Sequence, residues 1–136
     1  MRKLFLIFSL SFLMTTLTSV AQETQKSVQT SVIHDVDVSQ FNKLVSSNKG
    51  IVLDVRTPEE WAEGTISNPT KINYYDDNFA EQIEKLDKNT PVFVYCKRGG
   101  RSSGAAKILE EKGFTKVFNL KGGITAWKEQ GLKIEK

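Results

Sequence analysis

The chain has 136 residues, enough for one domain with its own core, and a formal net charge of +3. Two of those charges are Arg2 and Lys3; without them the Lys+Arg count falls from 19 to 17 against 16 Asp+Glu, a net charge of +1. The basic pI near 9.0 therefore gives no ground for a nucleic-acid partner, and a single cysteine excludes an internal disulfide framework.

Met1-Arg2-Lys3 is followed by an apolar run over 4–17 and then by Ser19-Val20-Ala21. A positive start, an apolar stretch and small residues form an export signal, so residues 1–21 are expected to be removed after Ala21. Ser9, Ser11, Thr15 and Thr16 interrupt the run, and it is shorter than the ~20 apolar residues of a spanning helix. No stable membrane insertion is expected after cleavage. No cysteine follows the small residues, which leaves no site for a lipid anchor. The signal has a bacterial look, and the periplasm is the expected destination. Residues 22–31, rich in Gln, Ser and Thr, read as a flexible tether, and 32–136 as the folded domain.

Within that domain strands and helices alternate. Residues 33–38 suit a strand, and Ser39 an N-cap for a helix through Phe41, Leu44 and Val45. A buried strand is expected over 51–55, a short helix over 58–63 with Pro58 near its first position, a strand over 71–75 and a helix over 78–86. The strand 91–95 leads into the cysteine. A helix over 102–112 stops at Gly113; a strand over 116–120 and a helix over 124–129 complete the chain. This alternation predicts an α/β fold, a mainly parallel five-stranded sheet with helices on both faces. Ligands of such sheets sit beyond the carboxyl ends of the strands. The Cys96 loop is expected there, with Asp54 and Arg56 close by.

The segment richest in chemistry is Cys96-Lys97-Arg98-Gly99-Gly100-Arg101-Ser102. A lone cysteine ending a core strand is ordinarily a small buried hydrophobe. An inert thiol, however, needs neither Gly99-Gly100 nor the crowding of Lys97, Arg98 and Arg101. A strand, a tight cationic loop and a helix start make an anion cradle with a thiol at its floor. The same field favours the thiolate, so Cys96 is expected to titrate low and be nucleophilic. Arg101, at the helix start, is the better placed of the loop arginines to grip two oxygens of an anion; Arg98 controls approach or acceptor choice, and Lys97 is equally well read as a solvated side chain. The glycines let the backbone close around the anion. Asp54 and Arg56 are read as scaffolding, with Arg56 paired to Glu60 or Glu59. Trp61 and Trp127 are read as packing, and Gly122-Gly123 as a helix-start turn. His34, the only histidine, has no partners for a metal site.

The Cys-Lys-Arg-Gly-Gly-Arg-Ser loop resembles the active-site loop of the rhodanese (thiosulfate sulfurtransferase) domains. Leu53-Asp54-Val55-Arg56-Thr57-Pro58-Glu59-Glu60-Trp61 is similar to that family's Asp-Val-Arg segment, and Leu120-Lys121-Gly122-Gly123-Ile124-Thr125-Ala126-Trp127 to its Gly-Gly-Ile-x-Ala-Trp segment. The resemblance spans about residues 33–132. It departs at Gly64-Thr65-Ile66, where the family usually shows Gly-His-Ile, and the following turn carries an extra residue with Asn68-Pro69 as its breaker.

The resemblance implies a single rhodanese-like domain with Cys96 as nucleophile, Lys97, Arg98, Gly99, Gly100, Arg101 and Ser102 as the substrate-binding loop, and no cofactor. The implied reaction moves sulfane sulfur from a small anionic donor such as thiosulfate to cyanide, a small thiol or a protein thiol through a Cys96 persulfide. A non-catalytic persulfide carrier or a redox or sulfur sensor is the alternative. Dual-specificity phosphatases, similar in scaffold, place one more residue between cysteine and arginine than the four found here, which makes a phosphatase, or an arsenate reductase, the weaker reading.

Overall fold

The computed structural model describes residues 30–136, so the export signal and nearly all of the tether lie outside the described residues. The elements run β1 (Ile33–Val36), α1 (Val38–Ser46), β2 (Ile51–Asp54), α2 (Pro58–Ala62), β3 (Thr70–Lys71), α3 (Phe79–Glu84), β4 (Val92–Tyr95), α4 (Gly100–Glu111), β5 (Val117–Leu120) and α5 (Gly123–Glu129). The five strands form one sheet in the order β1-β5-β4-β2-β3. Every ladder in it is parallel, which requires a crossover between paired strands.

The central strand β4 decides where the thiol lies. All four of its residues are buried, as expected of a strand covered on both faces. Side chains alternate across a strand, so Val92, Val94 and Cys96 enter one core with Leu53, Val55, Ala105, Ala106, Leu109 and Phe114. Phe93 and Tyr95 enter the other, with Phe41, Leu120, Ile124 and Trp127. Phe41, fully buried, meets Phe93, Tyr95 and Trp127 edge-on at 6.2–6.5 Å between ring centroids. Full burial of such a ring is worth roughly 1.5–3 kcal/mol. Cys96 thus continues the α4-side face of β4, which aims its sulfur under the start of α4.

Several expected boundaries move for local reasons. The first strand ends at Val36 because Asp37, not Ser39, caps α1: its carboxylate accepts the Gln40 amide at 2.8 Å, while the Gln40 side chain accepts the Asp37 amide. The strand expected over 71–75 shrinks to Thr70–Lys71. The Asn73 side chain accepts the Tyr75 amide at 3.0 Å, the local bond by which Asn turns a chain out of a ladder. Ile72 and Tyr74 still donate to the carbonyls of Asp54 and Val55, so 72–75 stay against β2. The helix after the cysteine begins at Gly100, two residues earlier than expected, with Gly99 as its N-cap at φ 110°.

Candidate active site

Cys96 follows the last residue of β4 and is almost wholly buried. Its Sγ accepts the Gly99 amide at 3.0 Å and faces the Ser102 hydroxyl at 3.4 Å. That hydroxyl also lies 3.2 Å from the Gly99 carbonyl. Burial pushes the thiol pKa up, but hydrogen bonds from Ser102 and from the amides of Ser102, Gly99 and Arg98 outweigh it, and the net shift is downward. The loop closes so tightly because Gly99 sits at positive φ, where a side chain is disfavoured.

The contacts made to the sulfur are directed hydrogen-bond donors, and none of the loop's cationic side chains bonds to it. Lys97 and Arg98 are exposed and make no ion pair among the described residues. Arg101 has a partner that the sequence did not suggest. Its fork, expected to hold the substrate anion, is spent on Glu60: Nη1 donates to Oε2 at 2.7 Å and Nη2 to Oε1 at 2.9 Å. The same carboxylate accepts the amide and hydroxyl of Thr57, both at 3.0 Å, completing a capping box on α2. Chiefly through its bonds to Arg101, Glu60 titrates at about 2 and stays ionised at any working pH. Arg101 also lies over the ring of Tyr75, 5.6 Å from its centroid.

Arg56 does not pair with Glu60 or Glu59. Its guanidinium grips Asp54, with Nη2 to Oδ2 at 2.7 Å and Nε to Oδ1 at 3.0 Å, and donates to the Gly64 carbonyl at 2.8 Å. Both side chains are buried. Asp54 also accepts the Arg56 amide, and Arg56 lies over the Tyr95 ring. These residues lie next to the site through the bond from the Val55 amide to the Tyr95 carbonyl, with both carboxylate oxygens of Asp54 engaged by Arg56.

The Gly122-Gly123 turn holds the thiol loop in place. The amides of Ile124 and Thr125 donate to the carbonyls of Cys96 at 2.9 Å and Lys97 at 3.1 Å. A Cβ on Gly123 would stand 2.4 Å from the Lys97 carbonyl oxygen and 2.5 Å from that of Cys96, so only glycine permits the approach. Two amides of the first turn of α5 are thereby committed to the loop.

At the departure from the Gly-His-Ile pattern, Thr65 exchanges both backbone hydrogen bonds with Glu135 at 2.8 Å and its hydroxyl donates to Ser67, which takes a positive φ of 54°. The altered turn is absorbed there, away from the sulfur. A cleft of about 430 Å³ opens beside it, lined by Trp61, Thr65, Ser67, Asn68, Lys71, Glu135 and Lys136; no residue of the Cys96 loop lines it.

A cysteine sulfur held by amides between a parallel strand and a helix, with Asp-Val-Arg on the neighbouring strand and Gly-Gly-Ile bracing the loop, is an arrangement shared with known proteins. The family model described as a rhodanese-like domain matches residues 37–130. The chain belongs to the rhodanese-like family. A sulfurtransferase of Allochromatium vinosum is 30% identical over 104 residues, covering 76% of this chain and 95% of that protein. The thiosulfate sulfurtransferase GlpE of Coxiella burnetii is 36% identical over 86 residues, 63% of this chain and 78% of that protein. A tRNA uridine(34) hydroxylase of Pelagibacter ubique is 38% identical over 92 residues, 65% of this chain, but the match spans only 30% of that longer protein. Among solved structures, a rhodanese-related protein of Thermoplasma volcanium superposes with a TM-score of 0.67 at 27% identity, covering 75% of this chain and 97% of that one. The expected rhodanese-like fold, a parallel five-stranded sheet in one domain, is the fold observed.

Proposed function

We propose that this rhodanese-like protein is a sulfurtransferase that carries sulfur as a persulfide on Cys96. The observation that carries the reading is the environment of Sγ, which faces the Gly99 amide and the Ser102 hydroxyl at the start of α4. Directed donors of this kind stabilise a thiolate without a neighbouring base. The ionised sulfur attacks the outer sulfur of thiosulfate or a similar donor. An S–S bond forms to Cys96 as the donor's own S–S bond breaks, and sulfite leaves with the bonding pair. In this reading the loop amides, with the exposed Lys97 and Arg98, offset its charge. Cyanide or a thiolate acceptor then attacks the terminal sulfur and returns Cys96 to its thiolate.

No general base is required, because no proton is removed at the moment of attack. A phosphoryl group would need an arginine free to clasp its oxygens, and Arg101 is committed to Glu60. That favours a sulfur atom as the group transferred. Export with cleavage after Ala21 belongs to the same reading: it puts a solitary thiol in a compartment where it has no internal disulfide partner.

Steady-state turnover tests the proposal. The mature chain should convert thiosulfate and cyanide repeatedly to sulfite and thiocyanate, and Cys96→Ser should abolish conversion while leaving the thermal midpoint close to the parent. Stoichiometric sulfur loading without turnover would instead identify a carrier. N-terminal sequencing of the exported protein should begin at Gln22; full-length chain retained in the cytoplasm would contradict export.

A further inference from the structure

Tyr75 is the large hydrophobic residue left most open among the described residues, with 66% of its surface exposed. It is nevertheless held in place. Its amide is bound by the Asn73 side chain, Tyr74 meets it edge-on at 6.0 Å, and the Arg101 guanidinium lies over its ring. Tyr74 is anchored in turn: its amide donates to the Val55 carbonyl, and Gly104 of α4 leaves room for its hydroxyl, which a Cβ there would meet at 2.4 Å.

An exposed aromatic side chain normally samples several rotamers, and ordering it has an entropic cost. Here the backbone is pinned by Asn73, and Tyr74 and Arg101 pack against the ring. Arg101 is the shared link: it touches Tyr75, and it is adjacent in the chain to Ser102, whose hydroxyl faces Cys96 Sγ. Because Glu60 pairs with Arg101, the guanidinium beside the Tyr75 ring carries no free positive charge. The free cations, Lys97 and Arg98, lie on the loop itself.

We propose that Tyr75 is the seat for an organic stem carried by the sulfur substrate, so that Cys96 favours sulfur compounds bearing an aryl or similar apolar group over bare inorganic dianions. This deepens the sulfurtransferase reading and rests on it for the identity of the transferred atom. The seat itself concerns only what approaches the thiolate. A ring on the substrate would lie against the open face of Tyr75 while its reactive atom enters the Gly99–Ser102 cradle.

Alkylation rates test the seat independently of sulfur chemistry. The probes are iodoacetamide and N-benzyl iodoacetamide; in each the Cys96 thiolate forms a C–S bond as the C–I bond breaks and iodide leaves. In the parent, the benzyl reagent should react roughly threefold to tenfold faster than the plain one, the range expected for one aromatic contact. Tyr75→Ala should bring that ratio to about one, and Tyr75→Phe, which keeps the ring, should preserve it. The side chain is largely exposed, so both variants should fold. Parallel incubation with thiosulfate and with benzenethiosulfonate, whose S–S bond breaks to release benzenesulfinate as Cys96 gains the outer sulfur, is read by intact mass and reports on the sulfurtransferase reading. Loss of the benzyl preference in Tyr75→Ala with no sulfur loading of the parent from either donor would leave the seat standing and overturn the persulfide. A parent ratio near one, or a preference that survives in Tyr75→Ala, would overturn the seat.

Discussion

Replacing Gly123 with alanine tests how the chain braces its thiol loop. Gly123 has φ +60°, and the new Cβ would stand 2.4–2.5 Å from the Lys97 and Cys96 carbonyl groups, all backbone. Backbone cannot step aside as a flexible side chain can, so α5 must move away from the loop. Two effects add. A left-handed backbone at a residue with a Cβ costs about 1 kcal/mol. Losing the bonds from Ile124 to Cys96 and from Thr125 to Lys97 costs about 1 kcal/mol each. The total is about 3 kcal/mol. Gly131 supplies the control, since it has a similar φ of +72° and a Cβ there would meet no atom within 4 Å. Gly131→Ala should therefore cost only the backbone part, about 1 kcal/mol. For a domain of this size each kcal/mol moves the thermal midpoint by roughly 4–8 °C, so differential scanning calorimetry should find Gly123→Ala lower by about 15 °C and Gly131→Ala by about 5 °C. Cys96 alkylation should slow in the first variant and stay at the parent rate in the second. Equal midpoint losses would refute the brace.

Other consequences follow from the site's charges. Arg56→Ala should destabilise by about 3–5 kcal/mol, because it leaves the Asp54 carboxylate buried without its partner; chemical denaturation would measure it. Glu60 has a depressed pKa, so its contribution to stability is fully present above the ordinary carboxyl value of 4.5 and is lost as pH falls towards 2. Glu60→Gln should flatten that acid limb of the stability profile, and by freeing the Arg101 fork it should speed alkylation by iodoacetate relative to iodoacetamide. Cys96 is also shifted down, so its alkylation rate should hold at pH values where a free cysteine has become protonated and slow. Ser102→Ala removes the hydroxyl facing Sγ and should move that pH profile upward.

The order of elements was legible in the sequence because buried strands and amphipathic helices differ in period, and Val92-Phe93-Val94-Tyr95 could be little else than a central strand. The thiol and its loop were legible for a similar reason: glycines beside a cysteine at a strand-to-helix junction constrain the backbone whatever the rest of the chain does. Partner choice was harder to read. Arg56 has Asp54 two residues away and Glu60 four residues away, and both are plausible by spacing; only the burial of Asp54 selects it. The pairing of Arg101 with Glu60 joins residues 41 apart, which no local pattern reveals. A partial signal was present in Thr57-Pro58-Glu59-Glu60, whose spacing is that of a capping box and fixes where Glu60 points. Tyr75 gave none, since its place against Arg101 depends on the chain leaving the β3 ladder at Asn73. The role of Gly123 likewise appears only once α5 is packed against the Cys96 carbonyl.

Intact mass spectrometry of the mature protein after exposure to thiosulfate tests the central claim most directly. The account predicts the gain of one sulfur atom per chain, located on Cys96 by peptide mapping, removed by cyanide and absent in Cys96→Ser. An unmodified mass in protein whose Cys96 still alkylates readily, or an added sulfur that persists in Cys96→Ser, would contradict it.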